Sequence, residues 1–179
     1  MELFDLLAAR RSVRQYTEQP VSRQDLEKIV KAGLMAPSSK NLHSTEFLVV
    51  EDRGILKAMA HCKPRFGQML EQAPAAIVVM GKLESHAWVE DASVAMMAMM
   101  LQAAELGMGS CWVQVRHMTA GEKGADGQCL TSHQYLARLL DLPEGVEVEA
   151  ILALGHEAQQ LRSRTLEEAR PERVHWGRV

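Results

Sequence analysis

The chain has 179 residues, of which 47% are hydrophobic and 24% charged, and a formal net charge of −3. That length and composition fit one folded globular domain with a sizeable core and exclude fibrous or disordered chains. The weak net charge supplies no global field for nucleic acid, so any basic cluster must act locally.

Leu3, Phe4, Leu6 and Leu7 mark a short helix with one apolar stripe, closed by Arg10-Arg11-Ser12-Val13-Arg14. Ser22, followed by Asp25, predicts the N-cap of a helix through Leu26, Ile29, Val30 and Leu34. Pro37 ends that region, and Ala36-Pro37-Ser38-Ser39-Lys40-Asn41 reads as a polar loop. Residues 46–51 form a strand candidate. Helical stretches are expected over 54–61 and 65–72, the second stopped by Pro74. Residues 75–80 are continuously apolar, as a buried strand is.

The longest element spans 88–106 and ends at Gly107. Ala92, Ala95, Met96, Met99, Ala103 and Leu106 mark one face, while Val94, Met97, Met100 and Leu101 cover much of the rest. A helix apolar almost all round is buried on more than one side. A partner subunit is therefore expected, with Met96 or Met100 as candidate interface positions. A strand over 111–115 follows the turn Gly107-Met108-Gly109-Ser110. Residues 119–128 read as a glycine-rich polar loop, 134–140 as a helix and 148–154 as a strand, before an arginine-rich tail. The expectation is a single α+β domain over 1–179.

Cys62, Cys111 and Cys129 are odd in number and widely spaced, which argues against a disulfide framework or a structural zinc site. The start Met-Glu-Leu-Phe-Asp lacks the basic, long apolar pattern of a secretory signal. The most apolar run, 92–101, is too short to span a bilayer. A cytoplasmic protein with neither membrane nor nucleic-acid partner is expected.

Three guanidinium groups and a hydroxyl within residues 10–14 suit a phosphate monoester, although arginines at a helix end also simply complement its dipole. The 36–41 loop suits a polyhydroxyl chain or a heterocycle edge. Ser-His-Asp, Cys-His and paired-carboxylate patterns are missing, as are Gly-x-Gly-x-x-Gly after a first strand and Gly-Lys-Ser/Thr. Cys111 reads as a packed core thiol. A chain without an acid–base set can leave the hard chemistry to a cofactor, supplying binding and electrostatics itself.

Arg10-Arg11-Ser12-Val13-Arg14, Ala36-Pro37-Ser38-Ser39-Lys40-Asn41, Trp88…Asp91, Gly107-Met108-Gly109-Ser110-Cys111-Trp112, Ala153-Leu154-Gly155 and Arg162-Ser163-Arg164 occur in that order over residues 2–176. In this the chain resembles the FMN-dependent nitroreductase family. The resemblance implies an α+β fold with a central, mainly antiparallel sheet flanked by helices, in an intertwined homodimer with FMN at the subunit interface. Arg10, Ser12 and Arg164, or Arg162, would hold the phosphate, with Arg11 and Arg14 nearby toward the ribityl chain or the dimethylbenzene side. Pro37, Ser38, Ser39 and Asn41 would come from the other subunit. Trp112, Val113 and Gln114 would lie along the isoalloxazine and offer backbone N–H groups.

The activity so implied is hydride transfer from NADH or NADPH to FMN, then electron transfer to a nitroaromatic, quinone or similar acceptor in a ping-pong cycle. No catalytic side chain and no metal are expected. One departure concerns the substrate face: the family commonly reads Asn-x-Gln-Pro-Trp where this chain has Asn41-Leu42-His43-Ser44-Thr45. That departure keeps open a flavin-binding sensor or carrier without turnover, and the arginine cluster alone would fit a plain phospholigand module.

Overall fold

The computed structural model describes residues 2–165 and 168–178. Four strands form the central sheet: β1 (Thr45–Val50), β2 (Ala75–Lys82), β3 (Gly109–Gln114) and β6 (Val146–Gly155). Their order is β1-β2-β6-β3, and every neighbouring pair is antiparallel. Residues on successive positions of β2 divide between two cores, as the pleat requires. Ala75, Ile77 and Val79 face α5 (Trp88–Glu105), with α2 (Arg23–Leu34) packed beside it. Ala76, Val78 and Met80 face the opposite core, formed with α3 (Arg53–Met59), α4 (Met69–Gln72) and α6 (Ser132–Leu140).

Helix starts follow the sequence chemistry. Asp25 N–H donates to Ser22 Oγ (3.1 Å) while the Ser22 hydroxyl donates to Asp25 Oδ2 (2.7 Å), opening α2. Thr131 and Gln134 form a capping box at the start of α6.

Three local expectations are corrected. Residues 119–128 are not all loop: β4 (Thr119–Lys123) pairs with β5 (Cys129–Thr131) in a separate hairpin. Only Ala120 and Leu130 of the hairpin are buried apolar anchors, too few to show a period of two. The 65–72 helix shrinks to the single turn α4, because Phe66 has φ 63° and the Gly67 backbone lies against the Ala60 carbonyl. Met96 and Met100 are buried within the chain's own core, whereas Val94, Met97 and Leu101 face outward. Helix α2 covers the flank of α5 that the expectation had left for a partner.

Two departures from regularity shape the far end of the sheet. The β2–β6 register slips between Val79, paired with Ala150, and Met80, paired with Val148, leaving Glu149 in a bulge. At the outer edge of β3, the Val13 N–H donates to the Ser110 carbonyl (3.0 Å), so the chain after α1 (Leu3–Ala9) docks there. Gly109 is required at this seam, since a Cβ would lie 2.7 Å from the Val13 side chain.

Gly33 sets the closeness of α2 to α5: a Cβ would lie 2.9 Å from both Met99 Cγ and Phe47 Cζ. Helix propensity alone makes Gly→Ala favourable by roughly 0.5–1 kcal/mol, while overpacking costs about 1–3 kcal/mol. Gly33→Ala is expected to destabilise the fold by about 1–2 kcal/mol, seen as a lower urea midpoint at unchanged m-value. A raised midpoint would show that Met99 yields freely.

Candidate functional site

The arginine segment leaves the end of α1 and runs beside β3. The Arg10 N–H still donates to the Leu6 carbonyl (2.9 Å), so Arg10 closes the helix. The tail returns to the same place: the Arg164 N–H donates to the Ala8 carbonyl (2.9 Å), and Arg11 Nη1 donates to the Arg162 carbonyl. Thr17 N–H to His156 O (2.9 Å) and Ala158 N–H to Gln15 O (3.1 Å) fasten the remaining side. Between these strands of chain lies an open cleft of about 460 Å³, lined by Arg11, Ser12, Arg14 and Arg164 among others.

Its electrostatics are predominantly positive, with Glu168 near Arg11. Burial first, then the Arg164 and Arg11 charges, hold the Arg10 guanidinium below its usual range. Among the described residues, Arg10, Arg11, Arg14 and Arg164 make no ion pair, whereas Arg162 is paired with Glu168. The two tail candidates therefore differ: Arg164 stands beside Arg10, and Arg162 turns to a carboxylate. Converging guanidinium groups fit a doubly charged oxyanion. Cys111, behind the cluster, is buried, and burial pushes its thiol up, as in a packed core residue.

The open edge of β3 continues from this cleft. Ser110 turns its carbonyl to Val13, so by alternation Trp112 and Gln114 also present their backbone groups outward, while Val113 faces β6. Lys63 Nζ donates to the Gln114 carbonyl (3.2 Å) and confirms that direction. The Val113 side chain is buried in the core, so Val113 contributes backbone shape only. Lys63 was not legible as a site residue, because it belongs to no motif and approaches β3 from a turn 51 residues earlier.

The second half of the expected site lies elsewhere. Pro37, Ser38, Ser39 and Asn41 form a loop beside the N-terminal end of α5. The Asp91 carboxylate, 6% exposed, accepts the Ser39 N–H at Oδ1 (2.8 Å) and the Ser44 hydroxyl at Oδ2 (3.2 Å). Ser38 Oγ accepts the His43 N–H (2.9 Å). These bonds hold Lys40, Asn41 and His43 at φ 51°, 56° and 48°, a conformation that L-residues adopt at a cost of about 1–3 kcal/mol each. Ser44, in the segment that departs from the usual family wording, is thus one of the loop's two anchors. Asp91 reads in the sequence as an ordinary acid of a helix first turn, and its tethering role emerges only in the fold.

Asp91→Ala would leave the Ser39 N–H and the Ser44 hydroxyl without an acceptor. Each buried unsatisfied group costs about 1–3 kcal/mol, and the strained backbone keeps only the local bonds to Ser38 and Ser39 and the Lys82 N–H on the Ser44 carbonyl. Hydrogen exchange is expected to accelerate by at least tenfold over residues 37–44 and to stay unchanged in β2 and β6. Unaltered protection in the loop would show that the Ser38 bond suffices.

Comparison with known proteins agrees with this architecture. The profile of the nitroreductase family matches residues 7–63 and 58–156. An Archaeoglobus fulgidus protein, assigned provisionally as an NADH dehydrogenase/NAD(P)H nitroreductase, is 37% identical over 160 residues, covering 87% of this chain and 85% of its own. The structure of an FMN-dependent nitroreductase from Clostridium difficile superposes with a TM-score of 0.92 at 35% identity, over 99% of this chain and 100% of that one. A provisionally assigned nitroreductase of Desulfovibrio desulfuricans, solved in complex with FMN, superposes with a TM-score of 0.72 at 27% identity, over 94% of each chain. On profile, identity and fold together, the chain belongs to the nitroreductase family.

Proposed function

We propose that the protein is an FMN-dependent NAD(P)H oxidoreductase that reduces small acceptors such as nitroaromatics and quinones. The whole chain, 1–179, serves as one FMN-binding domain. The observation that carries this reading is the arginine cluster, without an ion pair at Arg10, Arg11, Arg14 or Arg164 among the described residues, joined to the edge of β3 by the Val13 N–H to Ser110 carbonyl bond. When bound, FMN supplies reversible hydride chemistry at its ring, which the side chains of this protein do not.

The residues have distinct tasks in this reading. Arg10, Ser12 and Arg164 bind the phosphate, with Arg11 and Arg14 lining its approach. The outward N–H groups of Trp112 and Gln114 face the ring and favour the charge it gains on reduction. The Lys63 ammonium fixes the Gln114 end of that edge.

The site is completed by a second copy of the chain. Asp91 holds the 37–41 loop near one end of α5, while Ser12 and Ser110 lie by the other, where Met108 N–H meets the Ala103 carbonyl (2.8 Å). Asp91 and Ala103 are separated by about 18 Å of helix, so one chain does not close both halves around one ring. An apolar surface on the same elements gives the second copy a place to dock: exposed Leu3 and Phe4 of α1 and Val94 of α5, with half-buried Met97 and Leu101 beside them. Among the described residues no helix is long and apolar enough to cross a membrane, and a cytoplasmic homodimer fits the reduced cysteines.

Purified protein is expected to be yellow, to bleach with NADH or NADPH under argon, and to recover colour on adding a quinone. Bleaching without recovery by any acceptor would favour a flavin carrier. A charge-assisted contact contributes roughly 1.5–3 kcal/mol, so Arg10→Ala is expected to weaken FMN binding by about one to two orders of magnitude. Unchanged affinity by fluorescence titration would remove Arg10 from the phosphate site.

The interface has its own test. Val94→Asp places a charge on the exposed face of α5 and leaves the chain's own core intact. It should convert a sedimenting dimer to monomer and release FMN together. A wild-type monomer that retains FMN would defeat the shared site.

A further inference from the structure

One buried acid has no task in the reading above. Glu149 is 4% exposed and sits at the bulge where β6 slips against β2. Regular alternation would put Val148 and Ala150 on one face. Here Val148 joins the core of α3 and α6, and Ala150 joins that of α5. The bulge thereby brings Glu149 to the Gln114 side of the sheet, the kind of re-aiming that bulges perform beside functional sites.

There it organises the end of β3. Gln114 Nε2 donates to Glu149 Oε1 (3.4 Å) and to the Glu149 carbonyl (3.3 Å), which also accepts the Val115 (3.2 Å) and Arg116 (3.0 Å) N–H groups. Gln114 Nε2 donates as well to the Arg116 carbonyl (3.3 Å), and Trp112 Nε1 donates to Gln114 Oε1 (2.7 Å), so the carboxylate is one of three acceptors on the amide that holds the Trp112 indole. Arg116 Nε lies 3.9 Å from Glu149 Oε2, and its guanidinium stands 5.7 Å from the Trp88 ring centroid. Oε2 is buried with no hydrogen-bond donor among the described residues. A buried carboxylate with an unfilled oxygen carries a desolvation cost that its long contact with Arg116 offsets only in part.

We propose that Glu149 is a positioning residue for the flavin edge of β3, and that its charge, balanced against Arg116, helps set the midpoint potential of bound FMN. The carboxylate orients Gln114 and through it Trp112, while its negative charge opposes the charge gained on reduction. This rests on the FMN reading above.

The test uses holoprotein with Glu149→Gln, Glu149→Ala and Arg116→Gln. Glu149→Gln keeps an acceptor for Gln114 and removes the charge. It should hold oxidised FMN within about twofold of wild type while favouring reduced over oxidised FMN by about tenfold, an upward shift of about 30 mV for a two-electron couple. Arg116→Gln should shift the potential downward. Glu149→Ala should also loosen FMN about tenfold and alter the circular dichroism of the bound flavin. Wild-type potential and dichroism in both Glu149 variants, with wild-type FMN bound normally, would overturn this inference alone. Wild-type protein that binds no FMN would overturn the FMN reading itself.

Discussion

The seam between the Arg10–Tyr16 segment and β3 is the constraint on which the rest of the site depends. A backbone bond, Val13 N–H to Ser110 O, and the missing Cβ of Gly109 bring the arginine-bearing stretch against the sheet edge. Tyr16 secures the far end, its buried hydroxyl donating to the Val13 carbonyl (2.7 Å). With the backbone so fixed, Arg10 stands near Arg11 and Arg164, and burial first, then those two charges, hold its guanidinium below its usual range. Such an arrangement is unfavourable in the absence of an anion. An anion seated there would relieve that repulsion, and more so the higher its charge density.

The other half of the site solves a different problem. A loop with three L-residues at positive φ would relax without restraint, and Asp91 supplies that restraint from a rigid helix by accepting two bonds from the loop. Its burial strengthens those bonds, since competing water is excluded. Ser44 at this point replaces shape with a hydrogen bond: the hydroxyl reaches Asp91 and remains 4% exposed. The loop's backbone is therefore set from within one chain, even though its proposed ligand belongs to another.

Much of this was legible from residues alone. The apolar run at 75–80, the capped helix after Ser22 and the all-round apolar helix at 88–106 carry strong periodic signals, and all three stand in the structure. The arginine and Pro-Ser-Ser segments were recognisable through their order along the chain. What stayed hidden depends on long-range pairing. The β4–β5 hairpin rests on two buried residues. Lys63 and Asp91 act on partners some fifty positions away. The Glu149 bulge is a slip between strands far apart in the sequence, with no local signature. The outward face of α5 was misassigned because periodicity shows that a helix is buried on two sides and not which neighbour covers which side. Met96 and Met100 went to α2 and the sheet, leaving Val94, Met97 and Leu101.

The division of the proposed site between two chains has a thermodynamic consequence. A ligand that touches both subunits binds the dimer better than the monomer, so it shifts the assembly equilibrium by its differential affinity. The arginine cleft alone still offers the phosphate its charge contacts within one chain. The tethered loop adds its contacts only in the pair. Affinity for FMN and affinity between subunits are then one coupled quantity, and by reciprocity a change at the α5 surface is felt at the cofactor. The strain at Lys40, Asn41 and His43 belongs to the same balance. It is carried by each chain before association, so the loop meets the partner's cofactor already shaped, and binding pays little for ordering it.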